Sequence, residues 1–146
     1  MVEDDPRSAE LTVTFLHVEA FTDKVVLPRD GVDAIDYLFS PERSAADMPR
    51  LVFLDLNMPG LDGMAVLKKV RQEERTRFVP VLMLISSDHP EDLLRAHELG
   101  ANGYLDKLSD GVRWNEMVRT VASYWVRMTV SPYSLVGQDD GQTLRA

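Results

Sequence analysis

A doubly wound, parallel α/β sheet is the fold class this sequence predicts, and three observations predict it. Short apolar runs alternate along the chain with longer stretches of helical periodicity. The run LVFLDLNMPGLDG, residues 51–63, opens apolar on both faces of a strand, as in a sheet covered by helices on each side. It then meets Asp55 and a Pro-Gly turn, and the carboxyl ends of strands in open α/β sheets are where ligands bind.

The elements follow in order. Asp5 suits an N-cap and Pro6 a first helical position, and Leu11, Phe15 and Val18 form one helical stripe. Lys24 to Leu27 reads as a short strand. Asp30-Gly31 turns into a helix through Ile35, Leu38 and Phe39, and residues 40–50 form a loop. Leu51 to Leu54 is a buried strand, and Met64 to Arg71 is helical. Val79 to Ile85 is a second apolar strand, then SSDHP leads to a helix from Glu91 to Leu99. The turn Gly100–Gly103 precedes a brief strand, Tyr104-Leu105, which ends in Asp106-Lys107. A last helix spans about residues 112–128, with Trp114, Met117, Val121 and Tyr124 as its stripe and Trp125 off it. The chain divides into residues 1–130 and an extension, 131–146, whose end reads as poorly ordered.

Composition narrows the function. The 146 residues suffice for one domain with a real core, and the 45% hydrophobic and 27% charged fractions are those of an ordinary soluble protein. No apolar run approaches the roughly 18 residues of a membrane span, and no signal peptide opens the chain. The absence of cysteine excludes disulfides and thiolate metal sites. A net charge of −8 argues against nucleic acid and anionic membrane as partners. A cytoplasmic location with a protein or small-ion partner is expected.

Right-handed crossovers put the C-terminal ends of parallel strands on one edge. Asp55, Ser86-Ser87 and Lys107 all follow strands there, and Glu3-Asp4-Asp5 sits at the same edge, so they should converge. Clustered carboxylates repel unless a cation shares the site, and an all-oxygen donor set suits Mg²⁺ or Mn²⁺. None of His17, His89 and His97 is placed to be a ligand. A lysine beside such a site suits phosphate oxygens, which together describes phosphoryl transfer. With no GxxxxGK[ST] loop to cradle a nucleotide, the aspartate itself becomes the candidate nucleophile.

The pieces VEDDP, LDLNMPGLDG and GANGYLDK, in this order, resemble the receiver domain of two-component response regulators. Arg29-Asp30-Gly31 and SYWVRMTVSP, residues 123–132, are similar to the single-domain regulators paired with bacterial phytochromes. The resemblance implies a five-stranded, flavodoxin-like receiver that a sensor histidine kinase of the bacteriophytochrome type phosphorylates in a Mg²⁺-dependent reaction. It catalyses its own phosphorylation and dephosphorylation only. By resemblance, Asp55 is the phosphoacceptor, Asp4 the main metal carboxylate with Glu3 beside it, and Asn57 a backbone-carbonyl ligand. Lys107 pairs with the aspartate and then the phosphoryl group, and Tyr104 is the switch aromatic, with half-buried core as its plainer reading.

The chain departs from that family in three places. Ile85 stands where the family keeps Thr or Ser; Ser86 is next to it, but strand alternation points it the other way, and a loop cap describes it better. Leu108, not proline, follows Lys107, so a cis bond there would be a costly non-proline one. Only Met1 and Val2 precede the acidic pair, so the first strand is expected truncated, missing or supplied from elsewhere. Ile85 and this short beginning favour a rival reading, a degenerate receiver acting as a constitutive interaction module. A haloacid-type phosphohydrolase is disfavoured because Asn57 stands where a second aspartate would be needed. With no DNA-binding segment after residue 132, output through protein contact is expected. Trp125, Val126, Val130, Tyr133 and Leu135 continue past the helical stripe, which suggests a homodimer through the last helix and the extension; the plainer reading folds that extension back on its own domain.

Overall fold

Three helices of this chain start at the same dipeptide, and the reason is visible in each. The structure, a computed structural model, describes residues 1–2, 7, 10, 12, 14, 25–86 and 90–134. In it Asp30, Asp62 and Asp110 are N-caps, their side chains accepting from the backbone N–H of Asp33, Ala65 and Arg113 at 2.8–2.9 Å. Each is followed by glycine, and the helices run Gly31–Phe39 (α1), Gly63–Gln72 (α2) and Gly111–Ala122 (α4). Pro90–Glu98 (α3) carries Glu91 and Asp92 in its first turn and Arg95 and His97 in its last, as the helix dipole favours.

Between the helices lie Val52–Asp55 (β1), Val81–Ile85 (β2) and Gly103–Asp106 (β3), parallel and in the order β1-β2-β3. The register pairs Leu54 with Met83 and Leu84 with Leu105. On the other side of β1, Val2 makes one parallel bridge to Leu54, donating to the Phe53 carbonyl at 2.7 Å and accepting from the Asp55 N–H at 2.9 Å. That bridge is what the described residues show of the first strand. Of the strand expected over residues 24–27, Lys24 lies outside the described residues, and Val25, Val26 and Leu27 carry no ladder among them. The Met1 amino group donates to the Val26 carbonyl at 2.9 Å, which ties this segment to the residue before Val2. Burial pushes that amine down to about 6.

Strand alternation sorts the core onto both faces of the sheet. Val52, Leu54, Val81 and Met83 pack with Ala34 and Leu38 of α1, Val66, Leu67 and Val70 of α2 and Ala96 of α3. Phe53, Leu82, Leu84 and Leu105 pack with Val118 and Ala122 of α4. Both faces are therefore covered, which makes the fold an open, doubly wound α/β sheet of flavodoxin-like type. The half-buried Arg71 ties the end of the sheet opposite Asp55, donating to the carbonyls of Gly100, Arg77 and Val79 and to the Asn102 side chain. Asn102 in turn accepts from the Val81 N–H at 2.8 Å. The turn out of α3 is closed by Gly100 at φ 91°, a conformation that glycine adopts without strain.

Three expectations about the end of the chain are corrected. The last helix does not stay α-helical to residue 128: Ser123–Met128 winds as a π-helix, with the Thr129 N–H reaching the Tyr124 carbonyl at 3.1 Å. Trp125, expected off the stripe, packs against the core beside Trp114 and Val121, whereas Tyr124 is 52% exposed. Trp114, Met117 and Val121 pack against the core as expected, and only the last member of the stripe changes, from Tyr124 to Trp125, inside the π-helical segment. Tyr133, offered as a partner anchor, is buried in its own domain, its hydroxyl accepting from the Phe78 N–H at 3.2 Å. Its element, the 3₁₀ turn Pro132–Ser134, folds back against Ala45–Asp47, a 3₁₀ turn inside the expected loop 40–50. Leu135 and the stripe Leu11, Phe15 and Val18 lie outside the described residues.

Candidate functional site

β1 ends at Asp55, whose side chain would emerge at the strand's carboxyl edge but is enclosed there: the residue is 1% exposed. Burying a carboxylate is costly unless it is paired and hydrogen-bonded, and both conditions are met. The Lys107 ammonium donates to Asp55 Oδ2 at 2.7 Å, and the Asn57 N–H donates to Oδ1 at 3.1 Å. The lysine comes from just beyond β3, and its own N–H is fixed on the Ile85 carbonyl at 2.7 Å. Parallel register thus delivers a cation from one strand end to an anion on another, 52 residues apart in sequence.

Of the residues expected to converge, Asp55, Lys107 and Asn57 are brought together. Glu3, Asp4, Asp5 and Ser87 lie outside the described residues. Ser86 is exposed beyond the end of β2 and makes no hydrogen bond among the described residues. Ile85, opposite Asp106, packs its side chain against the core on the α1–α3 face, as does Tyr104. The Tyr104 hydroxyl donates to the Leu93 carbonyl of α3 at 3.1 Å, and burial pushes its pKa upward. The peptide bonds of the described residues are all trans, Lys107–Leu108 included.

Sequence reasoning passed over Gly63. Its N–H donates to the Leu56 carbonyl at 3.1 Å, closing the loop that leaves Asp55. The signal was the repeated Asp-Gly, read at residues 30–31 and not carried over to residues 62–63.

Among the described residues no three Asp, Glu or His side chains gather as a metal site. The Asp55 carboxylate is nonetheless an oxygen donor, and Val2, bonded to the Asp55 N–H, directly precedes Glu3 and Asp4 in the chain. Oxygen donors of that kind fit a hard divalent cation.

Comparison with known proteins agrees. The model of the response regulator receiver domain matches residues 1–119. The probable methanogenesis regulatory protein FilR2 of Methanothrix harundinacea is 35% identical over 132 residues, 90% of this chain and 85% of that one. The Mn²⁺-bound crystal structure of response regulator Rcp1, a Synechocystis protein, superposes with a TM-score of 0.79 at 29% identity, covering 90% of this chain and 95% of Rcp1. The phosphorylated cyanobacterial phytochrome response regulator RcpA gives 0.80 at 27% identity, covering 90% and 94%. This chain belongs to the response regulator receiver family of two-component signalling, among relatives linked to phytochromes.

Proposed function

We propose that this receiver accepts a phosphoryl group on Asp55 from the phosphohistidine of a sensor histidine kinase, of the bacteriophytochrome type. The observation that carries the reading is the buried Asp55 carboxylate held at 2.7 Å from Lys107 at the strand ends. An Asp55 carboxylate oxygen attacks phosphorus, the new P–O bond forms as the P–N bond breaks, and the freed imidazole nitrogen takes a proton. Lys107 then turns from the carboxylate to a phosphoryl oxygen, keeping its charge where negative charge accumulates. Attack by water on the acyl phosphate returns Asp55 and releases inorganic phosphate. Glu3, Asp4, Asp55 and the Asn57 carbonyl would hold Mg²⁺, which when bound neutralises phosphoryl oxygens. Location in the cytoplasm follows from such a kinase; among the described residues no helix is long and apolar enough to cross a membrane. Incubation with a phosphorylated phytochrome-type kinase and Mg²⁺ should move the label to this chain within minutes. A chain left unlabelled by both kinase and small phosphodonors overturns the reading.

Ile85 favours a second reading, an interaction module with its switch disabled. A hydroxyl at this strand end would donate to the phosphoryl group, and loss of one such donor elsewhere costs about 2–4 kcal/mol. The cost here is smaller because Lys107 remains, so Ile85→Thr should accelerate phosphorylation about threefold to tenfold. Stopped-flow labelling, with Tyr104 fluorescence as the switch readout, checks it. No change in either would leave the hydroxyl's role to another group, Ser86 first.

Output by protein contact, without nucleic acid or membrane, includes a homodimer through the last helix. Tyr133 is spent inside its own domain, but Tyr124, Met128 and Val130 are 52%, 73% and 74% exposed around the π-helical segment. Such a patch marks an interaction surface. Light scattering should give a dimer mass for the full chain at micromolar concentration and a monomer for Tyr124→Lys with Met128→Lys. A monomeric parent chain removes the dimer.

A further inference from the structure

We infer that Gly63 is a positioning residue for Asp55: its missing side chain lets the first turn of α2 close directly onto the backbone of the phosphoacceptor. The requirement is one of space, because Gly63 has an ordinary helical backbone. A Cβ placed on it would overlap the Asp55 carbonyl oxygen and lie 2.9 Å from Leu56 Cα. Both are backbone atoms, so no side chain can turn aside to make room. The contact is also fixed from the helix side. The Gly63 N–H donates to the Leu56 carbonyl at 3.1 Å, and the preceding Asp62 caps α2 through the Ala65 N–H at 2.8 Å. From the opposite edge, the Asp55 N–H is held by the Val2 carbonyl at 2.9 Å. The peptide units flanking Asp55 are therefore pinned from two directions, and its carboxylate meets Lys107 Nζ and the Asn57 N–H with little freedom. An in-line attack on phosphorus needs that placement, and a misplacement of about 1 Å can cost on the order of a hundredfold in rate.

The molecule contains its own control. A Cβ on Gly31 would overlap the Leu61 carbonyl in the same way, on the same connecting loop but at a residue six positions on from Asp55 and not at Asp55 itself. Asp30 and Asp62 form a second matched pair, each losing one cap hydrogen bond on substitution by alanine and adding no atoms.

The inference rests on Asp55 being the phosphoacceptor, and the test separates the two. Acetyl phosphate with Mg²⁺ labels the full chain, and the rate at saturating donor is measured apart from the donor KM. Gly63→Ala should lower the saturating rate by about 10- to 100-fold with KM unchanged, while Gly31→Ala stays within about threefold of the parent. Asp62→Ala should slow labelling several-fold and Asp30→Ala should not. Equal losses in Gly63→Ala and Gly31→Ala would show a general packing effect and overturn the inference. Should Gly63→Ala fail to fold, the Asp62→Ala and Asp30→Ala pair decides by the same comparison. A parent chain that takes no label overturns the phosphoacceptor reading itself, and this inference with it.

Discussion

Asp55→Asn should abolish acyl-phosphate formation while leaving the fold intact. The amide has the shape of the carboxylate, and its carbonyl oxygen can still accept from the Asn57 N–H or from Lys107, which now hold Oδ1 and Oδ2. What it lacks is an anionic oxygen able to attack phosphorus, so the loss is of chemistry and not of packing. Among the described residues Asp55 is the buried carboxylate of this molecule, and its lysine partner stands at 2.7 Å. Incubation with acetyl phosphate and Mg²⁺ should add one hydroxylamine-labile phosphate to the parent chain and none to the variant, a loss of at least about a thousandfold. Thermal unfolding of the variant should remain a single cooperative transition, which separates this result from a folding failure. Undiminished labelling of Asp55→Asn would move the acceptor to another carboxylate.

The part of this site legible in the sequence was the part set by strand ends. A strand apolar on both faces that stops at a carboxylate fixes where Asp55 must be, and Lys107 follows from the same rule applied to β3. Parallel order then brings the two together without any local signal linking residues so far apart. The boundaries of β1 and α2 were off by one residue, because Asp55 and Gly63 complete ladders and turns that periodicity does not register. The C-terminal region was misread for a different reason. Apolar residues beyond a helical stripe say that something covers them, not which surface does so, and Tyr133 is covered by its own core. The π-winding at Ser123–Met128 likewise leaves no mark in the residue pattern; there the Thr129 N–H reaches the Tyr124 carbonyl and its hydroxyl donates to the Trp125 carbonyl. Of the first strand, expected to be short, the described residues show the bridge from Val2 to Leu54.

Lys107→Ala should separate two properties that a merely damaged site would lose together. Asp55 has 2% side-chain exposure and Lys107 20%, so the pair is largely withdrawn from water. Removing the cation leaves a buried carboxylate without its counter-charge, which in comparable pairs costs about 3 kcal/mol of folding stability. Phosphorylation should slow by about a hundredfold or more, because a donor aimed at developing phosphoryl charge is lost. Divalent-cation affinity should move the other way. Lys107 repels a second cation beside Asp55, and at an effective dielectric of about 20 that repulsion amounts to a few kcal/mol at close range, enough for at least a tenfold gain when it is removed. The variant should therefore unfold at lower temperature in chelator, recover most of that loss in millimolar Mg²⁺ by mass action, and still phosphorylate slowly at saturating metal. Calorimetric titration of Mg²⁺, scanning calorimetry and a labelling time course read the three quantities independently. Lys107→Arg should keep most of the stability but restore the rate only in part, since a planar guanidinium cannot follow the oxygen from carboxylate to phosphoryl as a compact ammonium does. If Lys107→Ala weakened metal binding along with the rate, its role would be to hold the loop in place, and the charge-pairing account of Asp55 would be wrong.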